Sequence, residues 1–225
     1  MSTEQATTFT SGENKISGIY SEAAEPFCMM VLAHGAGAGM EHTFMKSLSD
    51  ALVRRSVSVF RFNFPYMEKG RKAPGSQKEA VRAIADAVAH ASGLNGSLPL
   101  YIGGKSYGGR MASHLMAGNE VPTSADVRGL VYTGFPLHAP GKPGTGRADH
   151  LQEVSCPMLF LQGGRDKLAT PELIEEVTGS LPAATLKMYP EGDHSFHVLK
   201  RSGTTDEELL ERLATDTVTW LKANK

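Results

Sequence analysis

The stretch that most constrains the fold is residues 103–110, which read GGKSYGGR and separate two apolar segments. The segment before it, residues 98–102, is short and apolar like a buried strand, whereas residues 111–117 have the composition of a helix. The sequence therefore predicts a strand, a sharp glycine-rich turn and a helix, with Ser106 at the apex of the turn. Gly-x-Ser-x-Gly in this setting is typical of a nucleophile elbow, in which a strained backbone holds a serine hydroxyl clear of the sheet.

The chemistry of a nucleophilic serine accounts for the residue types around Ser106. A serine hydroxyl is a weak nucleophile at neutral pH, so it needs a neighbouring base. Gly104 and Gly108 leave room where the strand and the helix crowd the turn. The helix N-terminus would direct N–H groups and partial positive charge at a developing oxyanion. A phosphate-binding turn is the alternative, but neither the Walker spacing nor Gly-x-Gly-x-x-Gly is present here.

Strand-like and helical segments alternate along the chain. Strands are predicted near residues 16–20, 27–33, 57–63, 98–103, 128–134, 157–162 and 184–189. Helices are predicted near residues 41–56, 76–92, 107–118, 171–180 and 205–223. Since residues 27–33 and 158–161 are continuously apolar, their strands should be covered on both faces, as in a parallel sheet. The pattern predicts an α/β fold with a mostly parallel central sheet of about seven strands and helices on both faces.

The length of the chain favours a single domain. Of its 225 residues, we expect residues 15–225 to form that domain and the polar residues 1–14 to form an N-terminal segment. Pro and Gly are concentrated at residues 139–146, which is typical of a surface loop rather than a linker between domains.

Composition excludes several classes of partner. A formal net charge of −1 argues against a general nucleic-acid binder. No apolar run is long enough to span a membrane and no charged-then-apolar leader is visible, so we expect a cytoplasmic protein that does not bind membranes. The carboxylates and histidines lack the spacing of metal ligands, and neither a metal nor another cofactor is predicted. The composition does not predict an oligomeric state.

A catalytic acid and base should follow Ser106 in that order, just past strand ends at one edge of the sheet. Asp166 follows one predicted strand and is the candidate acid, and His194 follows the next and is the candidate base. The imidazole would take the serine proton while the carboxylate fixes its tautomer. Asp193, adjacent to the candidate base, and His197, three residues further on, remain rivals for these roles.

An oxyanion hole needs two N–H donors, and the sequence offers both. The first is the backbone N–H of Tyr107, the residue after the candidate nucleophile. The second should come from the loop at residues 34–39 (HGAGAG), in which Ala36 N–H is the predicted donor and Gly35 the alternative. His34 is expected to hold this loop by hydrogen bonds rather than to act in catalysis.

Together these motifs resemble those of the α/β-hydrolase superfamily over nearly the whole chain from about residue 15. The resemblance rests on residues 34–35 (HG), 104–108 (GKSYG), 164–166 (GRD) and 192–196 (GDHSF), in the order the superfamily has. Within it, the chain is similar to the small, lidless, dienelactone-hydrolase-like members and to the testis-expressed-protein-type α/β-hydrolase-like domain. The serine at the elbow departs from the cysteine of dienelactone hydrolase, so the lactone substrate does not carry over.

The resemblance implies an α/β-hydrolase fold and, since the stretch at residues 135–154 is short, no separate lid domain. With the motifs, it predicts a serine hydrolase that cleaves an ester or thioester of a small-to-medium acyl compound through an acyl-enzyme. A non-catalytic binding or scaffold module that retains the fold is the alternative, and an acyltransferase is a third possibility. The loops expected at the cleft carry the basic residues Lys69, Arg71, Lys72, Lys142 and Arg147. Their charges either favour anionic ester substrates or are ordinary surface charges.

Overall fold

A single β-sheet runs through the centre of the molecule. The computed structural model describes residues 3–94, 96–122 and 125–225 of the chain. The strands in these residues are β1 (Thr3–Ser11), β2 (Asn14–Glu22), β3 (Cys28–Ala33), β4 (Val57–Phe62), β5 (Leu100–Lys105), β6 (Val127–Thr133), β7 (Met158–Gly163) and β8 (Ala184–Tyr189). Their order across the sheet is β1-β2-β4-β3-β5-β6-β7-β8.

Helices cover both faces of this sheet. The α-helices in the described residues are α1 (Thr43–Val53), α2 (Pro65–Glu68), α3 (Gln77–Leu94), α4 (Tyr107–Ala117), α5 (Pro171–Gly179) and α6 (Asp206–Ala223). Buried side chains of α1 and α6 form one apolar core with the sheet, and those of α3 and α4 form a second core on the opposite face. None of the helices in the described residues is long and apolar enough to cross a bilayer.

The pairing of the strands confirms the predicted architecture. From β4 across the sheet to β8, every pair of neighbouring strands is parallel, whereas β1–β2 and β2–β4 are antiparallel. All residues of β3 and β7 are buried, because helices cover both faces, and this burial explains their continuously apolar sequences. The chain therefore has an α/β fold with a mostly parallel central sheet, as predicted.

The connection between β6 and β7 contains no lid domain. Its helical part is the short 3₁₀ helix Gly146–Glu153, which packs against α4. The edge of the sheet where β5, β7 and β8 end is therefore not covered by an inserted domain, as the sequence predicts.

An additional strand lies within residues 1–14, for which the sequence predicts only a polar segment. β1 pairs with β2 along its full length, from Thr3 opposite Glu22 to Ser11 opposite Asn14. It is an edge strand, and most of its described side chains are exposed. A strand of this kind buries little, so its sequence lacks the apolar alternation from which strands are predicted.

Candidate active site

Ser106 occupies a strained turn between β5 and α4. Its backbone angles are φ 50° and ψ −110°, a conformation that residues with a side chain rarely adopt. The Ser106 N–H donates to Thr133 O at 3.1 Å, which ties the turn to the end of the neighbouring strand β6. Strain of this kind costs about 1–3 kcal/mol, and residues held in such conformations are common at functional sites.

The three predicted catalytic side chains lie in hydrogen-bonding contact. His194 Nε2 is 2.8 Å from Ser106 Oγ, and His194 Nδ1 is 2.7 Å from Asp166 Oδ2. The Asp166 carboxylate is fully buried, whereas 23% of the His194 side chain is exposed. The order β5, β6, β7, β8 places these residues at one edge of the sheet, because the carboxyl ends of parallel strands meet there.

Two further donors hold the Asp166 carboxylate. Gln162 Nε2 donates to Oδ2 at 2.6 Å, and Leu168 N–H donates to Oδ1 at 2.7 Å. A carboxylate that accepts these bonds requires a proton on His194 Nδ1, which leaves Nε2 free to accept a proton from Ser106. Gln162 was not predicted from the sequence, although a buried amide at the end of an apolar strand indicates that a polar partner is near.

The rival acid and base lie in other interactions. The Asp193 carboxylate accepts hydrogen bonds from the N–H groups of Ser195 and His197, and so shapes the turn that follows His194. The His197 ring is exposed and pairs with Asp206 at 2.8 Å. Neither side chain is hydrogen-bonded to the hydroxyl of Ser106 or to the His194 ring among the described contacts.

Of the two candidate oxyanion donors, Ala36 borders the cavity beside Ser106 and Tyr107 directly follows Ser106 in the chain. Gly35 and Ala36 line a cavity of about 350 Å³ together with Ser106 and His194. Tyr107 is the first residue of α4, so its N–H is one of the four that a helix N-terminus leaves without a partner inside the helix. The partial positive charge of the helix N-terminus adds to the attraction for an anion at this position.

His34 holds the loop behind the cavity, as predicted. Phe64 N–H donates to His34 Nε2 at 3.0 Å, so Nδ1 carries the proton and donates to Gly35 O at 2.8 Å. The ring is fully buried, and burial lowers the pKa of His34 to about 4. A neutral imidazole therefore fixes the carbonyl of Gly35, next to the predicted donor Ala36.

The cations predicted at the cleft do not line this cavity. Lys69, Arg71 and Lys72 line a separate cleft of about 470 Å³, and Lys69 pairs with Glu79 at 3.4 Å. Arg147 donates to a backbone carbonyl, that of His138, at 3.0 Å. These charges thus lie outside the wall around Ser106, which contains Phe44, Met45 and Leu168 in addition to the catalytic candidates.

A second group of histidines lies away from the active site, between α4 and the 3₁₀ helix. The rings of His114 and His150 are stacked with 3.5 Å between centroids, and Arg110 lies beside them. Burial, together with the neighbouring positive charge, lowers the pKa of each ring to about 4. Neither ring can become charged in the folded protein until the pH is well below the value for an unfolded histidine.

The lowered pKa values of these histidines predict that the folded protein is less stable in mild acid. Because the pKa values of His34, His114 and His150 are lowered to about 4 by folding, their contribution to stability is complete above pH 6.5 and is lost as the pH falls toward 4. His34 alone should reduce the free energy of unfolding by about 2 kcal/mol between pH 7.5 and 5.0. Urea unfolding at the two pH values measures this loss. His150→Gln should make it smaller, and identical midpoints at both pH values would contradict the prediction.

Comparisons with known proteins place this arrangement in context. A family model described as an alpha/beta hydrolase domain matches residues 27–222. The dienelactone hydrolase from Anabaena variabilis is 17% identical with a TM-score of 0.77, and the match covers 99% of this chain and 98% of that one. An α/β serine hydrolase homologue from Coxiella burnetii is 16% identical, with a TM-score of 0.76 and coverage of 94% and 96%. A serine hydrolase without a lid from Xanthomonas campestris is 17% identical, with a TM-score of 0.75 and coverage of 96% and 94%. At these identities the solved structures establish a shared fold.

Proposed function

We propose that this chain, which belongs to the alpha/beta hydrolase domain family, is a serine hydrolase that cleaves an ester or thioester of a small-to-medium acyl compound. The observation that carries the proposal is the continuous hydrogen-bonded chain from Asp166 through His194 to Ser106, with donor–acceptor distances of 2.7 and 2.8 Å. A nucleophile, a base and an orienting acid in this geometry form the constellation that acyl transfer requires.

The reaction would begin with transfer of the Ser106 proton to His194 Nε2 as Oγ attacks the carbonyl carbon of the substrate. The carbonyl oxygen becomes an oxyanion, and the N–H groups of Tyr107 and Ala36 would stabilise it. The intermediate then expels the alcohol or thiol, which takes its proton from His194. Water, deprotonated by His194, attacks the acyl-enzyme and releases the acid and the free Ser106 hydroxyl.

Asp166 would stabilise the imidazolium that forms twice in this cycle. Its carboxylate is buried and already accepts two bonds besides the one from His194. A buried charge fixed in this way needs no rearrangement when the imidazole becomes charged. The strained conformation of Ser106 also prepares the site in advance, because it holds Oγ within reach of the base before substrate binds.

The size of the cavity limits the acyl group. A volume of about 350 Å³ with Phe44, Met45 and Leu168 in its wall accommodates a small-to-medium apolar group. Since no lid domain covers the site, the leaving group can extend into solvent, and the enzyme should tolerate variation there more readily than in the acyl group.

An active-site-directed fluorophosphonate tests the proposal. We expect the probe to label the native protein once, at Ser106, and Ser106→Ala to abolish labelling, as read by intact mass and peptide mapping. Ser113→Ala is the matched control: Ser113 also lies 2.7 Å from a histidine, His150, but its hydroxyl donates to Arg110 O and is buried. Labelling of Ser113→Ala should equal that of the native protein.

The same experiment separates the hydrolase from a scaffold module, and turnover of an ester in water and with an added alcohol separates it from an acyltransferase. A native protein that remains unlabelled would contradict the proposal and favour a binding or scaffold module. An acyltransferase would also be labelled, but its acyl-enzyme would release acid slowly in water and would transfer the acyl group rapidly to an added alcohol, giving a new ester.

A further inference from the structure

The side chain of Lys105 lies against the loop that carries His194. Lys105 is the last residue of β5 and directly precedes Ser106. Its Nζ atom donates to the carbonyl oxygen of His194, 2.5 Å away. The elbow and the histidine loop are therefore joined twice, by this bond and by the contact between His194 Nε2 and Ser106 Oγ.

The other hydrogen bonds of the loop do not hold the main chain of His194. Asp193 Oδ1 accepts from the N–H groups of Ser195 and His197 at 2.8 and 3.0 Å, which shapes the turn after the histidine. In the part of the chain that the structure describes, the hydrogen bond to the His194 carbonyl comes from Lys105 alone. Loss of this donor would leave the position of the imidazole dependent on the flanking turn and on its two side-chain contacts.

Aromatic rings and a glycine enclose the ammonium group. The ring centroids of Phe44 and Phe196 lie 5.8 and 5.5 Å from Lys105 Nζ, and the two rings are stacked with 5.9 Å between them. Gly134 is also adjacent, since a Cβ atom at this position would lie 3.1 Å from Nζ and 3.3 Å from His194 O. Packing on these sides restricts the lysine to the rotamer that reaches the His194 carbonyl.

The ammonium is charged at neutral pH but close to titration. Burial lowers the pKa of Lys105 to about 8, while the carboxylates of Asp166 and Asp193 act in the opposite direction. Besides these two carboxylates, the His194 ring and His42 at the start of α1 line the same cavity as Lys105, and α1 presents the uncharged ring of Phe44 to Nζ. A charged donor makes a stronger hydrogen bond than a neutral one, so the bond to His194 should weaken when Lys105 loses its proton.

We propose that Lys105 is a positioning residue for the base: its ammonium group holds the main chain of His194 so that the imidazole faces Ser106 Oγ. The inference rests on the proposed function, because a positioned base matters only where Ser106 is a nucleophile. The structure places Lys105 Nζ on the carbonyl oxygen of the catalytic candidate itself.

Substitution of Lys105 tests the proposal with 4-nitrophenyl acetate as the probe substrate. Lys105→Met keeps the stem and removes the ammonium, and it should lower kcat per fluorophosphonate-labelled site by roughly 10- to 100-fold, since small displacements of a catalytic group have effects of this size. KM should change by less than about twofold if Lys105, which also lines the cavity, acts through its bond to the His194 carbonyl rather than by binding substrate. Lys105→Arg keeps the charge and the donor, so its kcat should be at least about tenfold higher than that of Lys105→Met. Lys46→Met, an exposed lysine on α1, is the control and should match the native protein.

The pH profile supplies a readout that a merely structural lysine would not change. For the native protein kcat should fall above about pH 8, whereas for Lys105→Arg the plateau should continue to higher pH because a guanidinium does not titrate there. Equal kcat per labelled site in the native protein and in Lys105→Met would overturn the positioning role and leave the proposed function intact. Failure of the native protein to label at Ser106 would overturn both.

Discussion

Replacement of His194 by alanine should lower the turnover of an ester substrate by at least about 10⁴-fold, because catalytic residues of this kind act as a unit. The imidazole is the only base that the geometry offers to Ser106 among the described contacts, at 2.8 Å, and the proposed mechanism uses it in both acylation and deacylation. The fold should survive the change, since about a quarter of this side chain is exposed and its removal opens space beside the cavity. Steady-state kinetics, combined with a melting curve, measure both effects.

His197→Ala is the matched control for this experiment. His197 lies three residues further along the same loop, but its ring is exposed and pairs with Asp206 at 2.8 Å. Its loss should leave turnover within about threefold of the native value, the size of effect typical of a surface substitution. Equal losses in the two variants would contradict the assignment of His194 as the base, whereas partial recovery of His194→Ala on addition of free imidazole would support it.

The candidate site could be predicted from sequence because each of its side chains follows a strand of the parallel part of the sheet. Ser106, Asp166 and His194 each come shortly after an apolar segment of strand length, and a parallel sheet brings the ends of such strands to one edge. This relation holds although the residues are up to 88 positions apart in the chain and strand β6 lies between β5 and β7. Element order was therefore enough to bring these residues together before any distance was known.

The supporting residues could not be predicted in the same way. Gln162 holds Asp166, and Lys105 holds His194, through contacts that depend on rotamers and on which loops lie side by side. Sequence spacing carries no information on either. The aromatic pair Phe44 and Phe196, which encloses the lysine, comes from α1 and the histidine loop, which are far apart in the chain.

The edge strand β1 was not predicted from the sequence, although one residue of strand β4 indicates that it has an acidic partner. Arg61 lies within the apolar strand β4, where its side chain is fully buried. A guanidinium in that position needs a countercharge, and Glu4 of β1 supplies it at 2.5 Å. The isolated arginine of β4 thus indicates that an acidic partner packs against this strand, and the polar N-terminal residues are where it is found.

Replacement of a glycine in the elbow should destabilise the fold more than replacement of a catalytic side chain. Gly108 lies in the first turn of α4, and a Cβ atom added there would lie 2.5 Å from Ala33 O and 2.6 Å from His34 O. Ala33 is the last residue of the central strand β3 and His34 directly follows it, so neither oxygen can move without disturbing the sheet. Gly108→Ala should therefore lower the free energy of unfolding by at least about 4 kcal/mol, since overpacking against backbone that cannot move is among the few causes of losses this large.

Urea unfolding measures this loss, and the helix α3 offers a matched substitution. Gly93 is exposed near the end of α3, and nothing lies within 4 Å of a Cβ atom built on it. Gly93→Ala should raise the free energy of unfolding by up to about 1 kcal/mol, because alanine restricts the unfolded chain and favours a helix. A native unfolding midpoint for Gly108→Ala would mean that α4 can move away from β3 without loss. Since that movement would carry Ser106 and the N–H of Tyr107 with it, any folded Gly108→Ala protein should still have lower turnover than the native protein.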